Sequence, residues 1–173
     1  MSLTLYDASV LNYLQTLDAM GAILDKSLAH CREHDRNPEE IVAARLHADM
    51  LSFGFQVQQL ALHSLGAVNA VLSGELNMRE RKPPLDYAGL QAAIAGTRES
   101  LREIAPETVN ARAGAPVIFN APGRQMPFTA EGFLMSFSLP NFYFHATTAY
   151  ALLRSNGVPL GKLDFVGALR LDV

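Results

Sequence analysis

The sequence predicts an all-α protein, a four-helix bundle with one long crossover between its third and fourth helices. Three observations carry this expectation. Apolar residues recur at alternating four- and three-residue spacing in several separate stretches, the period of a helix with one buried face. Cap-forming residues precede these stretches, and glycine or proline follows most of them. The period fails in one long segment, Ala105 to Thr129, where Pro106, Gly114, Pro116, Pro122 and Gly123 punctuate the chain as turns do.

The first helix is expected from Asp7, an N-cap by residue type, to His34, with Val10, Leu14, Leu17, Gly21, Leu24, Leu28 and Cys31 on one face. The second is expected from Pro38 to Ser73. Asn37 supplies its cap, Pro38 suits its first position, and Glu39 and Glu40 complement the positive end of the helix dipole. Its buried stripe reads Leu46, Met50, Phe53, Val57, Leu60, Ser64, Ala67 and Val71, and Ser73 with Gly74 end it. Glu75 to Leu85 reads as a connection. Asp86 then caps a third helix, Tyr87 to Ile104, with Leu90, Ile94, Thr97, Leu101 and Ile104 inward.

In the crossover, Val117 to Phe119 and Gln125 to Phe128 flank Pro122 and Gly123, residues that fit the centre of a type II turn, so a small β-hairpin is expected there. Thr129 caps the fourth helix, which runs to Asn156 with an interruption near Pro140 and stops at Gly157, Val158 and Pro159. No internal repeat or low-complexity tract is visible, so residues 1–173 read as a single domain.

Composition narrows the function. With 49% hydrophobic residues in 173, the chain can bury a substantial core. The net charge of −3 and scattered basic residues give no footprint for nucleic acid or an anionic membrane, and the one basic cluster, Arg79, Arg81 and Lys82, has Glu80 within it. The longest apolar candidate, Phe53 to Leu72, is broken by Gln56, Gln58, Gln59 and His63, which excludes a bilayer span. One cysteine, Cys31, and the lack of a charged, then apolar leader lead us to expect a cytoplasmic protein. There is no G-x-S-x-G elbow, glycine-rich phosphate loop or C-x-x-C pair, so the usual support for a serine hydrolase, a nucleotide enzyme or a zinc ribbon is missing.

The candidate chemistry lies on the fourth and second helices. His145 follows the aromatic run Phe142, Tyr143, Phe144, and helical spacing aligns it with Asn141, Thr148, Leu152 and Ser155. It reads either as a core histidine satisfied by Asn141, Thr148 or backbone, or as the base or ligand of a pocket. On the second helix Asp49, Ser52, Gln56, Gln59 and His63 form a polar stripe, which reads either as a solvated face or as one whose upper end, with His47 and Asp49, lines a cavity between the second and fourth helices. His30, Glu33 and His34 spell H-x-x-E-H, a zinc-peptidase pattern that recurs by chance and here falls in a helix's last turn.

The segment Pro140 to Phe165, PNFYFHATTAYALLRSNGVPLGKLDF, resembles the closing signature of an uncharacterised bacterial family, a domain of unknown function allied to the DinB-like (YfiT-like) four-helix proteins. The resemblance implies a metal held by one histidine of the second helix and a spaced pair on the last. His47 and His145 fall in roughly matching places. The residue four after His145 is Ala149, which has no lone pair, and Tyr150 points about 100° further around the helix. The leading expectation is therefore a homodimer binding a small molecule in a cavity lined by His145, His47, Asp49, Asn141, Gln56, Thr148 and Tyr150. The resemblance also implies an alternative, a hydrolase or thiol transferase using a divalent metal such as zinc or nickel on His47 and His145. A purely structural bundle is the third reading, and the sequence leaves open whether the protein is an enzyme.

Overall fold

The computed structural model describes residues 3–77 and 83–171, so the basic cluster Arg79, Arg81 and Lys82 lies outside the described residues. The chain is mostly helical and carries a small three-stranded sheet. A short α1 (Leu5–Ala8) opens it. Thr4, not Asp7, is the cap: its hydroxyl accepts the Asp7 N–H, and the Asp7 carboxylate accepts the Thr4 N–H in return. After a kink at Ser9, α2 (Val10–Glu33) buries Val10, Leu17, Leu24 and Cys31 from the expected stripe.

The expected second helix divides. α3 (Pro38–Ala43) begins as the sequence suggests, with the Asn37 side chain accepting the Glu39 N–H, but it stops after one and a half turns. Residues Ala44 to Ser52 form a loop, and the helix resumes as α4 (Phe53–Ala61). Two features explain the break. Ser52 takes an extended backbone and caps α4, and the Phe53 N–H reaches back to the Ala44 carbonyl at 2.8 Å, closing the loop on itself. Gly54 lets α3 lie close against α4, since a Cβ there would meet Val42 Cγ1 at 2.9 Å. Leu46, assigned to the buried stripe by its spacing, is consequently exposed.

α4 passes through a single π turn, Leu62–Gly66, into α5 (Ala67–Ser73), which ends at Gly74 with φ 88°. β1 (Glu75–Asn77) follows, in a stretch the sequence marks only as a connection. α6 (Tyr87–Arg102) is capped by the Asp86 side chain accepting the Gly89 N–H at 2.7 Å, and buries Leu90, Ile94, Thr97 and Leu101. A short α7 (Pro106–Asn110) leads to β2 (Pro116–Ala121) and β3 (Arg124–Thr129), paired antiparallel around Pro122 and Gly123. β1 adds to β2 in parallel, so the strands belong to one sheet ordered β1-β2-β3.

The last helical run begins with α8 (Ala130–Gly132), capped by Thr129, and widens into a second π segment, Phe133–Ser138, before α9 (Leu139–Ser155). Pro140 has no N–H for the carbonyl of Ser136, so the regular α register is lost just where the interruption is expected. α10 (Lys162–Val166) packs back on α2. The core forms where α2 meets α6 and α9, and where α4 meets α6 and α9, around Tyr13, Leu17, Phe53, Leu90, Phe133 and Phe142. No helix among the described residues is long and apolar enough to cross a membrane.

Candidate functional site

The polar groups that converge within this core lie between α4 and α9. His145 Nδ1 is 2.7 Å from Gln56 Oε1. The Gln56 amide nitrogen donates to the Leu51 carbonyl at 3.0 Å, and a carbonyl can only accept, so the amide oxygen is the end that faces His145. His145 Nδ1 therefore carries the proton and donates. Its Nε2 keeps a lone pair that no described residue engages. Gln56 is 3% exposed, whereas the His145 ring is only part-buried and reaches the surface beside Phe144.

A second histidine completes the pair. His63 occupies the π turn after α4, is 7% exposed, and stacks on His145 with ring centroids 5.5 Å apart and planes 20° from parallel. Phe55 stands edge-on to His145 at 6.0 Å, and Phe137 stands edge-on to His63 at 5.6 Å. Burial pushes both imidazoles from 6.5 down to about 4, and at His63 the neighbouring His145 adds to the shift. Both rings are neutral near pH 7. The arrangement thus offers two uncharged imidazoles with aromatic walls, and among the described residues no Lys or Arg is bonded to either ring.

Of the residues expected in the site, the structure joins His145 and Gln56. His47 and Asp49 are instead in the Ala44 to Ser52 loop, their side chains 71% and 82% exposed, bonded to each other at 2.5 Å. Their expected place on a helix facing His145 is corrected by the loop, which Ser52 and the Phe53 to Ala44 bond enforce. Asn141 Nδ2 donates to the Phe137 carbonyl and Thr148 Oγ1 to the Phe144 carbonyl, both at 2.7 Å. Each satisfies its own helix one turn back, and neither is hydrogen-bonded to His145. Tyr150 packs edge-on to Phe165 at 5.6 Å, away from the histidine pair. His63 belongs to the polar stripe of the second helix but not to the residues expected in the site. Its separation of seven residues from Gln56, two helical turns, was the signal that both share one face.

The protein-family comparison matches residues 5–166 to the Domain of unknown function DUF1993. The chain belongs to this family. Among solved structures it is similar to a DinB family member protein from Shewanella denitrificans, at 29% identity and TM-score 0.79, covering 98% of this chain and 95% of that one. Comparison with curated proteins finds no match. The DUF1993 chain is thus a DinB-like protein of an uncharacterised family.

The donor set of this DUF1993 chain does not fit the three-ligand metal centre that the DinB-like resemblance implies. Among the described residues no three His, Cys, Asp or Glu side chains gather. His145 Nδ1 is engaged by Gln56, Ala149 offers no donor, and His47 is paired with Asp49. The rings of His30 and His34 lie 4.2 Å apart and tilted by 39°, but His34 Nδ1 donates to the His30 carbonyl and Glu33 is exposed, so the H-x-x-E-H pattern builds no centre. Cys31 is buried, and burial raises its thiol pKa away from reactivity. Two open clefts lie elsewhere. One, of roughly 480 Å³, is lined by Glu39, Val42, Arg45, Ser52 and Asp86, and another, of roughly 330 Å³, by Leu3, Leu5, Asn110 and Met135; neither includes either ring of the histidine pair.

Proposed function

We propose that this DUF1993 protein is a single-domain, cytoplasmic, DinB-like four-helix protein that binds a small uncharged molecule at the His145 and His63 pair. The observation that carries the reading is the Gln56 hydrogen bond, which fixes His145 with its Nε2 lone pair free on a part-exposed ring. A neutral imidazole with such a lone pair accepts a hydrogen bond, and the aromatic neighbours Phe55 and Phe144 suit a flat ligand. The chemistry favours an aromatic N–H or O–H donor over an anion, because a neutral pair supplies no charge to hold one. Exposed Leu62 on the His63 turn, with Tyr143 and Phe144 beside His145, supports the further proposal of a homodimer.

The test is an imidazole nitrogen NMR titration with indole, phenol and benzamide as probes. Saturable movement of the His145 Nε2 signal in the wild type, with no saturable movement of the His63 ring signals in His145→Ala, is the expected result. A flat response to all three probes would remove the ligand-binding reading. The competing structural reading rests on Gln56 satisfying the His145 Nδ1 proton and on the clefts lying elsewhere. It expects His145→Ala to lower stability without changing any binding.

A further inference from the structure

The two π segments face one another, and one buried hydrogen bond joins them. Ser138, the last residue of the second segment, donates from Oγ to the backbone carbonyl of His63 in the first at 2.6 Å. Tyr13 OH from α2 is 2.7 Å from the same Ser138 oxygen. Proton accounting gives the chain a direction. The His63 carbonyl has no hydrogen, so the single Ser138 hydroxyl proton is committed to it, and Tyr13 must donate to Ser138. Tyr13 and Ser138 are wholly buried, and the Tyr13 ring is held edge-on against Phe142 at 5.0 Å.

A π turn inserts one extra residue into a helix and so redirects the side chains within it; such turns recur where a site needs a residue re-aimed. His63 lies in one π segment and Phe137, which packs on its ring, in the other. The bond from Ser138 to the His63 carbonyl ties the backbone of one widened turn to the other. We propose that Tyr13 and Ser138 are the positioning residues of the two-histidine site, holding the His63 backbone in the register that lays its ring on His145. This inference rests on the site assigned above, but it concerns the unliganded protein. Its test therefore does not depend on any ligand being found.

Ser138→Ala removes the central hydroxyl, and Tyr13→Phe removes only the terminal donor while keeping the ring against Phe142. The experiment reads the His145 Nδ1–H resonance and its exchange with water, alongside thermal unfolding of the same samples. Ser138→Ala is expected to shift the His63 and His145 ring signals and to speed exchange of the Nδ1 proton about tenfold, of the order set by losing one buried hydrogen bond. Tyr13→Phe is expected to do the same to a smaller degree, and the double variant to match Ser138→Ala, because one chain is cut at two points. Should Ser138→Ala fail to fold, Tyr13→Phe carries the test alone. Lowered melting temperatures with unchanged ring signals and exchange would overturn the proposal and leave the two hydroxyls a purely structural role.

Discussion

At the level of single residues, His145 is a histidine with one nitrogen satisfied and one free, midway between a core residue and a ligand. The two roles predict different results for His145→Ala. A part-exposed binding group leaves stability nearly unchanged while probe binding disappears, because water takes the vacated place. A satisfied core histidine leaves a void and an orphaned Gln56 oxygen, at a combined cost on the order of 2–4 kcal/mol in denaturant unfolding. The pair also sets a pH dependence. Both rings fall from 6.5 in the unfolded chain to about 4 in the folded one, so the unfolded state binds protons first as pH drops. Their contribution is complete above about pH 6.5, declines through the interval, and is lost below about pH 4. Partial exposure limits the share of His145 to on the order of 2 kcal/mol. Melting temperature measured from pH 7 to 4 should fall, with a shallower slope in His145→Asn; equal slopes in both proteins would show that the ring does not titrate in this range.

At the level of elements, the sequence was legible where caps and stripes agreed. Asp86 before Leu90, Ile94, Thr97 and Leu101 gave α6 to within two residues, because a cap and a continuous stripe point to the same boundary. The second helix departs from its expected course because Leu46, Met50 and Phe53 keep a helical spacing across a loop. Spacing alone carries no information about Ser52, which caps the next helix, or about Gly54, whose missing side chain admits Val42. The expected helical position of His47 and Asp49 depends on that continuous spacing, and the loop removes it. Gln56, beyond the break, was read in its place. Ser52→Ala should cost about 1 kcal/mol by chemical denaturation, the usual worth of an N-cap. Gly54→Ala should cost more than Gly96→Ala, since a Cβ at Gly96 meets nothing within 4 Å while one at Gly54 meets Val42. The reverse order would mean that α3 yields freely and that the close packing does not hold the break in place.

At the level of the whole molecule, the helical character and the crossover follow from hydrophobic period and turn residues. The parallel pairing of β1 with β2 does not. Glu75 pairs with Ile118 across more than forty residues, and three residues of strand leave no periodic trace in a sequence. The surface carries apolar residues that lie off the buried stripes. Leu65 and Leu72 pack against the core, whereas Leu62, Tyr143 and Phe144 remain exposed. Phe144 is 57% exposed and immediately precedes His145, so whatever covers this face also bears on the histidine pair. We expect a symmetric dimer that buries it, because two-fold pairing is the commonest way soluble chains cover an apolar patch. Light scattering should give twice the chain mass, and Phe144→Glu should return the monomer with its helical content intact, since an exposed charge on α9 disturbs no core packing. A wild-type monomer at high protein concentration would exclude the dimer. A dimer unaffected by Phe144→Glu would move the interface to another surface, leaving the rings free to meet solvent directly.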